Sequence, residues 1–165
     1  MRATQARTRA NELALLAVIA TVVMLFAAFT AAYLIRRTDA DWQRVELPRL
    51  FAVNTLILLA SSLTMEGAKR RRRGWLTATA LLGLAFLVGQ FMAWRQLASQ
   101  GVFLPTSPHS SFLYMLTAIH GLHLVGGLAA IIYAVTRRSV LNLVAVYWHF
   151  IGAVWLYVLM LLGTL

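Results

Sequence analysis

Five long apolar runs, at 13–35, 50–68, 75–94, 111–135 and 140–165, divide this chain and decide most of what it can become. A helix rises about 1.5 Å per residue, so roughly 20 apolar residues cross the hydrocarbon core of a bilayer. The second run is the shortest. It is apolar over 50–65 and reaches 68 only past Glu66, with Arg49 and Lys69 placed to snorkel at its ends. Lipid tails offer the backbone no hydrogen bonds, so segments of this kind become helices. Composition agrees: 61% of the residues are hydrophobic and 12% charged, against about half and a quarter in a soluble domain. The expected fold class is therefore all-α, a polytopic membrane protein of five transmembrane helices forming one domain over 1–165.

The net charge of +10 does not point to nucleic acid, because the arginines lie between the apolar runs rather than among aromatics on a soluble face. They report orientation instead. Arg2, Arg7 and Arg9, the run "KRRRR" at 69–73, and Arg137 and Arg138 fall on one side. Arg36, Arg37, Arg44, Arg49 and Arg95 fall on the other, where Asp39, Asp41 and Glu46 offset three of them. The amino terminus is expected in the cytoplasm and the carboxyl terminus outside, with "KRRRR" beside anionic lipid headgroups. Trp75 and Trp94 mark the two interfaces of the third span.

The chain has no cysteine, which excludes disulfides, thiolate metal sites, iron–sulfur clusters and cysteine nucleophiles. The first run is longer than the apolar part of a secretory signal, so it is expected to stay as a span. "LPTSPHSS" (104–111) is the one loop rich in Pro and Ser; Pro105 and Pro108 break structure there, and Ser110 or Ser111 is expected to cap the fourth helix.

Polar residues inside membrane helices usually face protein. At helical spacing they fall into stripes mixed with small residues: Asn54, Ser61 and Ser62 on the second helix; Thr79, Gly83, Phe86, Gln90 and Ala93 on the third; His120, His123, Gly127, Ala130 and Ala134 on the fourth; Asn142, Ala145, His149, Gly152 and Leu156 on the fifth. A weaker stripe, Thr21, Ala28 and Ala32, marks the first. Such stripes pack helices together, the small residues allowing close approach and the polar ones bridging. The histidines leave a second reading open. His120 and His123 share a face and His149 could approach them, a set that could hold zinc, copper or a haem. Against zinc catalysis, no carboxylate lies well inside a span to act as base. The same lack makes a proton relay within this chain, or a small transporter, a poor fit.

The residues themselves resemble a family. "LTAIHGLHLVGGLAA" (116–130) is similar to the histidine- and glycine-rich helix of cytochrome c oxidase subunit III, and "VAVYWHFIGAVWLYVLMLL" (144–162) to that family's Tyr-Trp-His-Phe helix. "NTLILLASSLTM" (54–65), "LLGLAFLVGQFMAW" (81–94) and "VVMLFAAFTAAYLI" (22–35) resemble three further helices of the family, and all five motifs stand in its order. They correspond to the last five helices of longer seven-helix members. The matched positions are Asn54, Ser61, Ser62, Gln90, His120, His123, Tyr147, Trp148 and His149. Three family acids are replaced, by Val22, Ala93 and Gly152.

The resemblance implies a subunit of a haem–copper terminal oxidase in the aerobic respiratory chain of a bacterial cytoplasmic membrane. This chain would carry no catalytic residue, cofactor or metal of its own. Haem and copper would sit in partner subunits, with subunit I reducing oxygen to water and pumping protons, and this chain would pack on subunit I, stabilise it and hold phospholipid. The equivalent subunit of a quinol oxidase or a nitric oxide reductase fits the same residues. A haem-binding membrane anchor using His120, His123 or His149 is the reading of a different class. His149 is expected to be buried and bonded across the bundle, toward the His120/His123 stripe or the Asn54 helix, with space left beside it by Gly152.

Overall fold

The computed structural model describes residues 2–70 and 73–164, and among them the chain forms helices and no strand. The helices are α1 (Arg2–Arg36), α2 (Leu50–Lys69), α3 (Arg73–Ser99), α4 (Pro108–Thr136) and α5 (Leu141–Thr164), with a 3-10 turn, Arg138–Val140, ahead of the last. All five are long and apolar enough to cross a membrane. Arg71 and Arg72 of the basic run, and Leu165 at the end of the fifth predicted span, lie outside the described residues.

Helix ends follow local chemistry. α1 begins well before 13 because its polar lead is rich in Ala, Arg, Gln and Glu, all good helix formers. α3 stops at a left-handed residue, Gly101 (φ 79°), where the Gly101 and Val102 amides donate back to Ala98 and Leu97 at 3.0 Å each. The start of α4 corrects the expectation from sequence. Neither Ser110 nor Ser111 caps it: Ser107 is the N-cap, its side chain accepting from the Ser110 amide, while Ser110 Oγ accepts from the Ser107 amide. Pro108 therefore begins the helix rather than breaking it, since the first helical position needs no N–H donor.

α2 to α5 close into a ring in which α2 packs on α3, α3 on α4, α4 on α5 and α5 back on α2. α1 lies outside the ring against α4 and α5. The core holds Trp148, Trp155, Phe86, Leu113, Leu116, Leu124, Ile131 and Ile151. Without a hydrophobic drive between helices in lipid, close packing must supply the contact, and the α2–α3 seam shows how. A Cβ at Gly67 would come within 2.8 Å of the Trp75 ring, and one at Gly89 within 2.1 Å of Asn54 Oδ1. Thr64 and Thr79 bridge the same seam at 2.8 Å.

Two stripes point differently from expectation. On α1, Thr21, Ala28 and Ala32 face outward; the buried side is Val22, Phe26 and Tyr33. Larger side chains gain more contact by turning inward, and Thr21 needs no partner helix because its hydroxyl donates to the Val18 carbonyl at 2.8 Å. On α5, Asn142 and Leu156 are exposed and the inward face runs through Leu141, Val144, Ala145, Trp148, Ile151, Trp155 and Val158. The α3 stripe, Thr79, Gly83, Phe86, Gln90 and Ala93, is buried throughout. On α4, His120, Gly127 and Ala134 are buried while His123 and Ala130 are half-buried.

Candidate functional site

Trp148 sits at the centre of the ring. Its indole fills space left by two glycines on different helices: a Cβ at Gly83 would come within 2.8 Å of it, and one at Gly127 within 3.1 Å. A buried indole N–H needs an acceptor. Trp148 Nε1 donates to Ser61 Oγ at 3.1 Å, and Ser61 donates on to the Leu58 carbonyl at 2.7 Å. One residue back, the Tyr147 hydroxyl donates to the His123 carbonyl at 3.2 Å. Tyr147, Trp148 and Ser61 thus tie α5 to both α4 and α2, while Gly83 seats the ring against α3.

Further along α5, His120 is fully buried between the rings of Phe86 and Trp155, with centroids 5.7 and 4.9 Å away. Trp155 is held by a bond from its Nε1 to Thr55 Oγ1 at 3.1 Å. Asn54 and Gln90 are buried as well. Both ring nitrogens of His120, both amide atoms of Gln90 and Nδ2 of Asn54 make no hydrogen bond among the described residues. Groups of this kind cost several kcal/mol in a dry interior. They set these three matched positions apart from Ser61 and Trp148, which satisfy one another.

His149 corrects the sequence reading in part. It is on the rim, with its side chain 36% exposed, because it lies about 100° around α5 from Trp148. Its partner is on the Asn54 helix, as expected, but it is Glu66: His149 Nε2 meets Glu66 Oε1 at 2.9 Å, and Lys69 Nζ reaches the same oxygen at 3.0 Å. Beside His149 is a cavity of about 250 Å³ whose lining includes Leu58, Ser62, Gly152, Trp155 and Leu156. Gly152 does leave space there, and Ser62 faces it.

The three histidines do not converge. His120 lies inside, His123 has its Nδ1 2.8 Å from the Ile119 carbonyl of its own helix, and His149 turns to Glu66. Among the described residues no three His, Cys, Asp or Glu side chains gather as metal ligands. The rings of Phe86 and Trp155 pack against His120 from two sides. At two of the three replaced acid positions the chain packs apolar groups: Val22 and Ala93 are both buried in the core.

A second cluster, at the other end of the bundle, was not singled out from sequence. His109 is buried against Tyr33 and Trp42, rings on which Phe112 also packs, and its two ring nitrogens meet Val45 N at 3.2 Å and the Leu162 carbonyl at 3.3 Å. Its signal in the chain was a histidine directly after the Pro of a helix start, at a position where the first turn faces inward.

No protein-family profile matches the chain. Curated proteins do. It is 36% identical over 157 residues to the "Probable cytochrome c oxidase subunit 3" of Mycobacterium tuberculosis, covering 81% of this chain and 77% of the relative. It is 32% identical to the protein of that name from Nocardia farcinica, with the same coverage. It is 29% identical to the "Cytochrome c oxidase subunit 3" of Thermostichus vulcanus, over 93% of this chain and 86% of the relative. With that identity over most of both sequences, and with five helices carrying the matched motifs in order, this integral membrane protein belongs to the cytochrome c oxidase subunit 3 family.

Proposed function

We propose that this chain is the non-catalytic third subunit of a haem–copper cytochrome c oxidase, seated on the haem-bearing subunit I in a bacterial cytoplasmic membrane. In this reading the complex reduces oxygen to water and pumps protons, with haem and copper held by the partners and phospholipid bound along this chain. Its amino terminus faces the cytoplasm and its carboxyl terminus the outside, as the distribution of arginines and lysines indicates. Its role is to brace subunit I through turnover.

The observation that carries this reading is where the polar groups point. The indole of Trp148, the indole of Trp155 and the hydroxyl of Tyr147 all bond across helices of this same chain. Meanwhile the outer surface presents large apolar side chains such as Leu13, Met24, Leu56, Leu63, Leu122 and Ile132. A rigid rod bundle with an apolar exterior suits a support for another membrane subunit or for lipid.

The test is to purify a tagged full-length chain in mild detergent from its own cells and record both the co-purifying subunits by mass spectrometry and the absorption spectrum. A haem-bearing oxidase subunit in the preparation, together with a colourless chain after that partner is removed, is the expected result. A Soret band retained by the separated chain would favour the haem anchor and overturn the proposal.

A further inference from the structure

We propose that His109 is a pH-operated clasp: its neutral imidazole ties the α1–α2 loop and the last turn of α5 to the start of α4, and protonation lets the loop go. The ring is 1% exposed. Its Nδ1 lies 3.2 Å from the backbone nitrogen of Val45, a group that can only donate. Nδ1 is therefore the acceptor and the ring proton sits on Nε2. Nε2 lies 3.3 Å from the carbonyl of Leu162, a group that can only accept. One tautomer of the neutral ring satisfies both bonds at once.

Among the described residues neither backbone partner has a second hydrogen bond. The Leu162 carbonyl is among the last four of α5, which have no intrahelical donor. Val45 lies in a stretch with no regular structure, 43–48. A third bond reaches the same loop two residues away, from Ser107 Oγ to the Gln43 carbonyl at 3.2 Å. His109 thus joins three segments that are far apart in the chain, 64 residues in one direction and 53 in the other.

A second ring proton has to go on Nδ1, where it meets the Val45 N–H head on. The bond is lost, two donors face each other, and a charge appears in an enclosure of rings. The groups facing His109 are Tyr33 from α1, Trp42 and Arg44 from the loop and the Leu162 carbonyl from α5. Among the described residues none of these is a carboxylate, and the charge beside the ring, Arg44, opposes a second positive one. Imidazole is the side chain whose ordinary titration lies nearest neutrality. On the proposed orientation this clasp faces the outside of the cell.

The experiment is hydrogen–deuterium exchange at the Val45 amide in the full-length chain, corrected for the intrinsic pH dependence of exchange, from pH 8 to pH 4.5. It is paired with nitrogen-15 shifts of the His109 ring over the same range. At pH 8 the shifts should show a neutral ring protonated on Nε2 and the amide should be protected. As the ring protonates, protection should fall about tenfold, the scale of one lost hydrogen bond. In His109→Gln, whose amide can accept and donate without titrating, protection should not change with pH. A ring that stays neutral throughout, a ring that titrates while Val45 exchange is unchanged, or the same loss of protection in His109→Gln would each overturn the clasp. If that variant does not fold, the correlation of ring and amide in the natural sequence decides alone. Co-purification with an oxidase is untouched by any of these results.

Discussion

α1 and the four helices of the ring are all apolar enough to cross a membrane, the α1 stretch most of all, yet they are held in different ways. In the most apolar stretch of α1 only 11% of residues are buried, against 44% in α4. The ring is closed by close approach at glycines and by indole and hydroxyl bonds between helices. α1 is held by a few large residues on one side: Val22 and Phe26 along its length, and Tyr33 near its carboxyl-terminal end. Tyr33 is fully buried, edge-on to Trp42 and Phe112 at 5.0 and 5.4 Å. The Thr30 hydroxyl adds a bond to the Tyr157 hydroxyl at 2.7 Å. Hydropathy identifies both as spans, and the most apolar span is the one with the fewest buried residues.

The contrast is broken most forcefully at Trp148. Trp148→Ala removes a ring that fills the space over Gly83 and Gly127 and leaves Ser61 without its donor. The expected loss is about 3–5 kcal/mol, read from the unfolding midpoint of the purified protein in a mixed-micelle titration. A truncation to alanine on the outward side of α1, Met24→Ala, should change the midpoint by less than about 0.5 kcal/mol, because Met24 is 72% exposed. If the two variants were equally destabilised, α1 would be part of the ring in all but geometry.

Tyr33→Ala comes next. It should cost about 3 kcal/mol and act on α1 alone, seen as a wider distance between spin labels on α1 and α4 while the α2–α3 distance is unchanged. Tyr33→Phe isolates the packing, since the Tyr33 hydroxyl makes no hydrogen bond among the described residues. That variant should be neutral or slightly stabilising. A large loss on removing only the hydroxyl would show that the oxygen, not the ring, anchors the helix.

Much of this was legible in the sequence, and the reasons for the rest are physical. The five spans were readable because length and hydrophobicity are properties of the whole segment. Ser61 and Gln90 were readable as inward residues because burial of a polar group in lipid has so few solutions, whereas Trp148 was marked by the resemblance alone and lay outside the stripe drawn on α5. Facing was not readable on α1. There the polar and small residues Thr21, Ala28 and Ala32 can satisfy themselves locally, so their spacing carries no information about a neighbour. His149 was placed one step too deep because its apolar neighbours Trp148 and Phe150 suggested burial, whereas a helix turns about 100° per residue and sets it on the rim. His109 was missed because its partners are a loop amide and a helix-end carbonyl, backbone groups that no side-chain pattern can announce.

His149→Phe probes that rim. The pair with Glu66 is more than a third exposed on both sides, and Lys69 remains on the same carboxylate, so the expected loss is below about 1 kcal/mol. In a Glu66→Gln background, His149→Phe should cause no further loss in thermal melts if the pair is the whole effect. A loss of several kcal/mol would mean that His149 also carries weight through the cavity beside Gly152.

The smallest effect is expected at Thr21, and it sharpens the comparison best. Its hydroxyl is engaged with its own helix and its side chain faces away from the ring. Thr21→Leu should therefore leave the unfolding midpoint of the separated chain within about 0.5 kcal/mol. The oxidase assembly provides a second readout of the same substitution. If another subunit covers this side of α1, a leucine there will overpack the contact and reduce the amount of chain retained on the complex through a detergent wash. If lipid covers it, a larger apolar side chain fits as well as threonine and retention will not change. One substitution thus separates a helix that is peripheral in the whole complex from one that is peripheral only within its own chain.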